Sequence, residues 1–170
     1  MTRTLDGRAK TVTNQYDSLD RVKTTTYPDG EQVAGTYGTD GNLISLSGTS
    51  AYVTSVSYAA LGKVAAITYG NGVTTNYDYY DSDSEHDPSS GGRAYSYRIR
   101  TVLAGGGSVL NLSYQYDAAG NVKQKVDGTN TESYTYDELD RLVTAVGSVY
   151  GSLSFGYDRI DNIGSVFYLV

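Results

Sequence analysis

The sequence predicts an all-β fold, an array of short antiparallel hairpins that form a curved, spiralling β-sheet strip similar to a β-solenoid. Three observations predict it. Tyr, Thr and Val are abundant, with 18 Tyr in 170 residues, and these residue types suit a pleated, half-buried surface. A tyrosine recurs about every 20 residues, which is the period of a repeat architecture. Turn-forming residues follow each of these tyrosines and return half a period later.

The composition limits the classes of protein that the chain can belong to. Only 19% of residues are charged and 12% are aromatic, whereas disordered chains are poor in aromatic residues. The length predicts a single array over residues 1–170, with about eight repeats of roughly 20 residues. An acidic loop insertion near residues 81–92 interrupts it, because the pattern there gives way to Asp, Ser, Pro and Gly.

The tyrosine register is the main signal. Successive members lie 21, 21, 19, 20, 19, 20 and 21 residues apart: Tyr16, Tyr37, Tyr58, Tyr77, Tyr97, Tyr116, Tyr136 and Tyr157. An aspartate follows five of them: Asp17, Asp78, Asp117, Asp137 and Asp158. We expect these residues to be structural, because tyrosines at the same place in successive repeats stack as cross-strand pairs worth roughly 0.2–1 kcal/mol each.

A turn of about four residues follows each tyrosine. Its pattern is Tyr-Asp-x-x-(Gly/Asp)-(Arg/Asn/Lys)-(Val/Leu/Ile), as in the segment from Tyr16 to Val22. Asp bonds to its own local backbone, and Gly, Asn and Asp tolerate positive φ. The next strand therefore begins at the aliphatic residue.

A second turn lies half a period further on, so each repeat consists of two strands and two turns. It is found at Pro28-Asp29-Gly30, Gly70-Asn71-Gly72, Asp127-Gly128 and Gly147-Ser148. Asn-Gly and Asp-Gly between β-rich runs are the strongest short hairpin signals.

These motifs resemble the RHS repeat, also called the YD repeat, whose motif is close to Tyr-Asp-x-x-Gly-Arg-Leu. The copies at Tyr16, Tyr116 and Tyr136 match it best, with Asp20 and Asp140 in place of Gly. The resemblance covers nearly the whole chain. It implies a β-sheet strip wound as a spiral, which forms hollow shells in bacterial polymorphic toxins, insecticidal toxin complexes and teneurins.

The resemblance implies a non-catalytic structural scaffold, a segment of an extracellular or cell-surface shell. Its expected partners are further YD repeats of the same or a neighbouring chain. Open sheet edges recruit other strands, and the apolar segment 166–170 is a candidate for donation. Head-to-tail self-assembly into a fibre is therefore a variant of this hypothesis. No signal peptide is expected, since the first residues contain no apolar run.

No catalytic residue, cofactor or enzymatic activity is expected. The chain has no Cys and one His, so thiol chemistry, cysteine-ligated zinc and multi-histidine metal sites are excluded. The net charge of -6 argues against nucleic acid, and no apolar stretch is long enough to insert into a membrane.

Two alternatives stay open. Asp81, Asp83 and Glu85 alternate like the first ligands of a calcium loop, although His86 and Gly92 stand where an EF-hand has Gly and Glu. This match is weak, and a solvated loop is the better explanation of the segment. Exposed tyrosines would alternatively serve a carbohydrate- or protein-binding β-module.

Overall fold

A computed structural model describes residues 2–5, 7–59, 62–80 and 98–169 of the chain. Sixteen β-strands and one short 3-10 turn account for the regular structure of these residues, so the predicted all-β fold is confirmed. The strands are β1 Thr2–Leu5, β2 Arg8–Thr11, β3 Thr13–Tyr16, β4 Val22–Thr26, β5 Gln32–Tyr37, β6 Leu43–Ser47, β7 Ala51–Tyr58, β8 Val64–Tyr69, β9 Thr74–Tyr79, β10 Ile99–Ala104, β11 Leu110–Tyr116, β12 Val122–Asp127, β13 Asn130–Tyr136, β14 Leu142–Gly147, β15 Gly151–Tyr157 and β16 Ile163–Leu169.

The strands pair in the order in which the chain makes them. β1 and β2 form a two-stranded hairpin, and β3 to β16 form a 14-stranded antiparallel open sheet with no crossover in its order. Such an order follows from hairpins whose connections are too short for anything but neighbouring antiparallel strands. The 3-10 turn Gly105–Gly107 connects β10 to β11.

Contacts divide the chain into two compact units, residues 1–75 and 76–170. The sequence predicts one array over residues 1–170, and the division falls within β9. Each unit is built from the same hairpins, and the tyrosine pattern therefore gives no sign of the boundary.

The two faces of the sheet differ in chemistry. In the second unit Tyr134 lies opposite Ala145, and Ala145 lies opposite Leu153, so these side chains share one face. The other face carries hydroxyls, such as Thr144 opposite Ser154. In the first unit Gly35, Leu46 and Val53 lie in one row across three strands.

The core of this single layer is shallow. Among the described residues, no side chain is less than 2% exposed. The buried residues of the described part of the chain are few and lie on or beside strands: Thr75, Tyr80, Ala104, Ala145 and Gly147. An array of this kind is stabilised by contacts between neighbouring repeats and lacks a common interior.

The second turn forms as the sequence predicts. In the Tyr27 turn the Gly30 N–H donates to the Tyr27 carbonyl at 2.9 Å, and the Glu31 N–H donates to Asp29 Oδ1 at 3.0 Å. The turn at residues 69–73 repeats both bonds, at 2.9 and 3.0 Å. Gly30 has φ +91°, a conformation that glycine adopts without a steric penalty.

Gly70 is required by a close approach of two strands. A Cβ built there would lie 1.6 Å from the Ala51 carbonyl oxygen, while the Gly70 N–H donates to the Tyr52 carbonyl at 2.9 Å. We therefore expect Gly70→Ala to destabilise the first unit by about 2–3 kcal/mol, the upper part of the range for overpacking, because the clash is with backbone. Urea unfolding followed by circular dichroism measures this loss.

Gly72→Ala is the matched control. A Cβ there meets nothing within 4 Å, and only the φ of +82° costs energy, about 1 kcal/mol. Equal losses for the two variants would contradict the close approach at Gly70.

Candidate functional site

The turn after each strand-end tyrosine is the chemically richest part of the chain. In the first turn Asp17 Oδ1 accepts the N–H groups of Leu19 at 2.9 Å and Arg21 at 3.0 Å. Asp17 Oδ2 accepts Arg21 Nε at 2.8 Å and Nη2 at 2.7 Å. The aspartate thus closes the turn and holds the arginine in a two-pronged geometry that lysine cannot supply.

The same turn recurs along the sheet. Asp137 bonds to Leu139 and Arg141 as Asp17 bonds to Leu19 and Arg21. Asp117 accepts the Asn121 N–H at 2.8 Å, and an asparagine amide takes the place of the guanidinium there. The predicted role of these aspartates is local, and their geometry agrees with it.

Aspartates replace glycine at the fifth position of three turns. Asp20, Asp140 and Asp161 have φ values of 57°, 59° and 65°, whereas other turns have Gly41 and Gly120 there. Aspartate is among the few L-residues that adopt this left-handed conformation routinely.

Five of the described turns are fastened to the preceding turn by a tyrosine hydroxyl. Tyr136 donates to the Val122 carbonyl at 2.8 Å, an atom one repeat upstream. The same bond appears, at 2.6–2.9 Å, in four further pairs: Tyr37 to Val22, Tyr58 to Leu43, Tyr116 to Ile99, and Tyr157 to Leu142. We call this series the tyrosine ladder.

Arginines reinforce the tyrosine ladder. The guanidinium carbon of Arg21 lies 4.3 Å from the centre of the Tyr37 ring, and that of Arg141 lies 4.7 Å from the Tyr157 ring. Arg141 Nη1 also bonds to Asp161 Oδ1 of the next turn at 2.7 Å. Cation–π contacts of this kind are worth about 0.5–1 kcal/mol at exposed sites.

Counting the strand-end tyrosine as position one, the residue at position six of one turn therefore contacts the residue at position five of the next turn. Asn121 Nδ2 donates to Asp140 Oδ1 at 2.8 Å. Arg98 lies so close to Gly120 that a Cβ there would be 1.9 Å from Arg98 Nη2, so a side chain at this position would have to displace the guanidinium. These pairs link successive turns along one edge of the strip.

The hydrogen bonds shift the pKa values of the turn carboxyls downward. The Arg21 and Arg141 guanidinium groups lower the pKa of Asp17 and Asp137 respectively. Burial alone raises the pKa of Asp117, but hydrogen bonds from Asn121 and Gly120 outweigh it and leave the pKa lowered. The carboxylates are thus held in their charged form.

The structure differs from the prediction in the middle of the chain. The sequence places Tyr77 at a strand end, but β9 continues to Tyr79. The Tyr80 N–H donates to the Arg98 carbonyl at 2.9 Å, the bond that Asp17 makes to Arg21 in the first turn. Asp78 is not a turn residue, because its carboxylate bonds to Arg100 Nε at 2.6 Å on the neighbouring strand.

This repeat therefore runs from Tyr79 and Tyr80 to Arg98 and Ile99, with residues 81–97 between them. The described strands β3 to β16 pair in order as seven hairpins, and the count of about eight repeats stays a prediction. Tyr97 and the weak calcium candidates Asp81, Asp83 and Glu85 lie outside the described residues, and the calcium site stays a prediction. Sequence reasoning missed Tyr79 and Arg98, although the Arg-Ile dipeptide before β10 matches the motif.

The remaining predicted tyrosines lie where the register puts them. Tyr37 and Tyr58 end β5 and β7, and their turns close without an aspartate after the tyrosine. The Gly38 N–H donates to the Asn42 carbonyl at 2.8 Å, and Ala59 to Lys63 at 2.7 Å. Tyr16 ends β3 and is 57% exposed.

A second cluster lies at the opposite turns of the first unit. The Glu31 carboxylate accepts the Tyr52 hydroxyl and, at 3.1 Å, the Thr49 hydroxyl. The Tyr52 ring is 40% exposed and its edge lies against Gly48, where a Cβ would be 2.8 Å away. Asp29 completes the rim of a shallow depression.

Two further findings concern the described residues alone. No group of three acidic or histidine side chains among them is arranged to hold a metal ion. The part of the chain that the structure describes also contains no helix long and apolar enough to cross a membrane.

The turns and the sheet define a class of protein, a β-sheet array of Tyr-Asp repeats. Residues 116–153 match the model of the RHS Repeat family, which confirms the resemblance seen in the sequence. The matched segment begins at Tyr116, the last residue of β11, and contains the whole of β12, β13 and β14. The sequence matches no curated protein.

Solved structures share the fold. The crystal structure of TcdB2-TccC3-Cdc42 is similar with a TM-score of 0.77 and 19% identity over 94% of this chain. The Photorhabdus luminescens Tc holotoxin pore with a mutated TccC3 has a TM-score of 0.76 and 20% identity over 93% of this chain. This chain spans 9% of the length of each of those chains.

The tyrosine ladder predicts that removal of one phenolic oxygen lowers the stability of the fold. We expect Tyr136→Phe to lower the free energy of unfolding by about 1 kcal/mol, because the Val122 carbonyl loses its donor while the ring remains. Urea unfolding measures the change. Tyr16→Phe is the control, since the Tyr16 hydroxyl makes no hydrogen bond within the part of the chain that the structure describes, and an equal loss there would contradict the ladder.

The carboxyl pKa values predict a loss of stability in acid. Asp17 and Asp137 have pKa values below the ordinary 3.8 in the folded chain. Their contribution is therefore present above the unfolded pKa and is lost as the pH falls from about 5 through the lower, folded pKa. Urea midpoints measured between pH 7 and pH 2 show this loss. We expect a shallower loss in Asp137→Asn, and an unchanged slope would contradict the assignment.

Proposed function

We propose that the chain is a non-catalytic structural scaffold, a segment of an RHS-type shell outside the cell or at its surface. The observation that carries this proposal is the tyrosine ladder, in which hydroxyls such as that of Tyr136 bond to the backbone of the preceding repeat. Side chains that an active site would need for chemistry are here committed to holding neighbouring repeats together.

The turn carboxylates support the same proposal. Asp17 and Asp137 each satisfy both oxygens within their own turn. The Asp161 carboxylate accepts a hydrogen bond from Arg141, which belongs to the preceding turn. A catalytic carboxylate needs an oxygen that faces a substrate in a cleft, and these face the repeat itself.

Further YD repeats, of the same or a neighbouring chain, are the partners that this scaffold would take. β16 has the sequence Ile-Gly-Ser-Val-Phe-Tyr-Leu, with no charge and no Pro to discourage strand pairing. Val166 is 43% exposed and Phe167 is 61% exposed, and the two point to opposite faces. Such a strand resembles an interior strand, and a neighbouring strand would bury its apolar side chains. Head-to-tail assembly into a fibre is one way to cover it.

The extracellular or cell-surface location follows from the family resemblance. The similar solved structures carry toxin names, TcdB2-TccC3 and a Tc holotoxin pore. A shell strip related to them in fold would work in the same setting. The net charge of -6 is compatible with this location and disfavours contact with nucleic acid, which is also negatively charged.

A modular scaffold tolerates an added module. Inserting a second copy of residues 117–136 directly after Tyr136 adds one turn, one hairpin and one ladder bond. We expect the enlarged chain to fold with an equal or higher urea midpoint, because array stability sums over repeats and their interfaces. Circular dichroism and urea unfolding test this.

The control for this insertion is a scrambled sequence of the same 20 residues at the same place. It has no tyrosine in register, and we expect a lower midpoint. Equal destabilisation by the duplicate and the scrambled insert would contradict the scaffold proposal.

A carbohydrate- or protein-binding module is the second candidate, and one observation favours it. Tyr52 presents an exposed ring beside the hydroxyl of Thr49 and the carboxylates of Asp29 and Glu31. Aromatic faces beside polar groups suit amphipathic ligands. Binding of neutral oligosaccharides by the intact chain, abolished by Tyr52→Ala, would favour this function over the scaffold.

A further inference from the structure

Inside this chain a carboxylate and a tyrosine ring hold the same arginine in two places. In the first unit Asp17 Oδ2 bonds to Arg21 Nε and Nη2 at 2.8 and 2.7 Å, and the guanidinium carbon lies 4.3 Å from the centre of the Tyr37 ring. The second unit repeats the arrangement in one set of three residues, Asp137, Arg141 and Tyr157. The two groups supply the attractions that recognise a guanidinium, namely hydrogen bonds to a carboxylate and a cation–π contact.

The same two kinds of group meet at the opposite turns of the first unit. They line one shallow depression, which we call the Tyr52 depression, formed by Asp29, Gly30, Glu31, Thr49 and Tyr52. Its ring is 40% exposed, and Asp29 on its rim is exposed as well. No arginine is among the described residues that line it.

Asp29 divides its two oxygens as Asp17 does. In the first turn Asp17 Oδ1 accepts backbone N–H groups, and Oδ2 holds the guanidinium. Asp29 Oδ1 likewise accepts the Glu31 N–H at 3.0 Å, whereas its Oδ2 makes no hydrogen bond to any described residue. One oxygen therefore closes the turn, and the other is available to a donor from outside.

Glu31 supplies a second carboxylate with one oxygen to spare. Its Oε1 accepts the hydroxyls of Tyr52 and Thr49, and its Oε2 makes no hydrogen bond within the described part of the chain. The bond from Tyr52 lowers the pKa of Glu31 and so favours the charged form. Lys10 lines the adjoining depression, but no ion pair joins it to Asp29 or Glu31. Two negative charges thus lie beside an exposed aromatic ring, an arrangement complementary to a cation.

From this repetition of groups we infer that the Tyr52 depression binds the guanidinium of an arginine side chain from a partner polypeptide. Asp29 and Glu31 accept its N–H groups through the oxygens that the turn leaves unused, and the Tyr52 ring lies against its plane. A planar guanidinium presents several N–H donors in a fixed fork, which the ammonium of lysine does not. The inference rests on the second candidate function, a protein-binding module, and names the chemistry of its partner.

A titration of the intact, isotope-labelled chain with the peptide acetyl-Gly-Arg-Gly-amide, followed by NMR, tests the inference. We expect saturable shifts of the backbone amides of Glu31, Thr49 and Tyr52. The same peptide with citrulline in place of arginine is the matched probe, because citrulline keeps the shape of the side chain and loses its charge. We expect it to bind about 10-fold more weakly, the effect of losing hydrogen bonds to a charged group. The corresponding lysine peptide is expected to bind more weakly than the arginine peptide.

Asp29→Asn removes one of the two charges and keeps the turn. Asn71 occupies the equivalent place in its own turn and accepts the Val73 N–H at 3.0 Å, as Asp29 accepts the Glu31 N–H. We expect this variant to bind the arginine peptide about 10-fold more weakly. Tyr52→Leu removes the ring and is expected to weaken binding about 3-fold, the effect of one exposed cation–π contact.

Asp127→Asn is the matched control. It removes the same charge from the second turn of a hairpin in the other unit, and we expect it to leave binding unchanged. Equal affinity for the arginine peptide and for either the citrulline or the lysine peptide would overturn the inference, because the guanidinium would then not be recognised. Binding that Asp29→Asn leaves unchanged, or the absence of any saturable shift, would overturn it as well.

The outcomes separate this inference from the functions on which it builds. If neutral oligosaccharides bind in a Tyr52-dependent way and the arginine peptide does not, the binding module stands and the inferred partner is wrong. The repeat-insertion experiment uses no ligand, so the scaffold proposal stands or falls separately.

Discussion

The hydrogen bond from a strand-end tyrosine to a carbonyl one repeat upstream is the interaction on which the rest of the structure depends. Within each strand pair, the backbone N–H and C=O groups are hydrogen-bonded across the sheet. The sheet's hydrogen bonds do not extend into the turn beyond the last pair. At Tyr136 the hydroxyl reaches from its own strand to the carbonyl of Val122, the first residue of β12. The turn is thereby tied to the preceding hairpin, and the same geometry recurs along the edge.

This ladder explains why a sheet with so little buried volume has a regular form. A two-layer protein buries apolar side chains between layers, whereas here the buried set is small and includes Ala145 and Tyr80. Hydrogen bonds and cation–π contacts between consecutive turns therefore contribute a larger share of the stability. Arg141 serves three groups at once, namely Asp137, Asp161 and the Tyr157 ring. Stability is consequently local, and each repeat depends on its two neighbours.

Much of this arrangement can be predicted from the sequence, because the hydrogen bonds that close each turn join residues only a few positions apart. The spacing of aspartate and arginine in the first turn predicts a closed turn, and the bonds between Asp17 and Arg21 fit it. The positive φ of Asp140 follows from its place in the motif. Strand alternation likewise predicts two chemically distinct faces.

Other parts depend on contacts that a linear pattern does not show. Tyr77 and Tyr79 lie two residues apart, so both fit a period near 20, and only the strand pairing selects Tyr79. The intervening segment 81–97 is nearly one period long, and its Tyr97 lies outside the described residues. The closeness of Arg98 to Gly120 joins residues on different hairpins, and the division into two units leaves no mark on the tyrosine spacing.

Native-state hydrogen exchange on the wild-type chain and Tyr136→Phe tests the central claim most directly, namely that nearest-neighbour contacts between repeats hold the sheet together. The account predicts that the substitution speeds exchange of the amides in β12, β13 and β14, and leaves those of β4, β5 and β6 unchanged. An equal acceleration in both groups of strands would contradict it, because it would show that the chain opens as one cooperative unit.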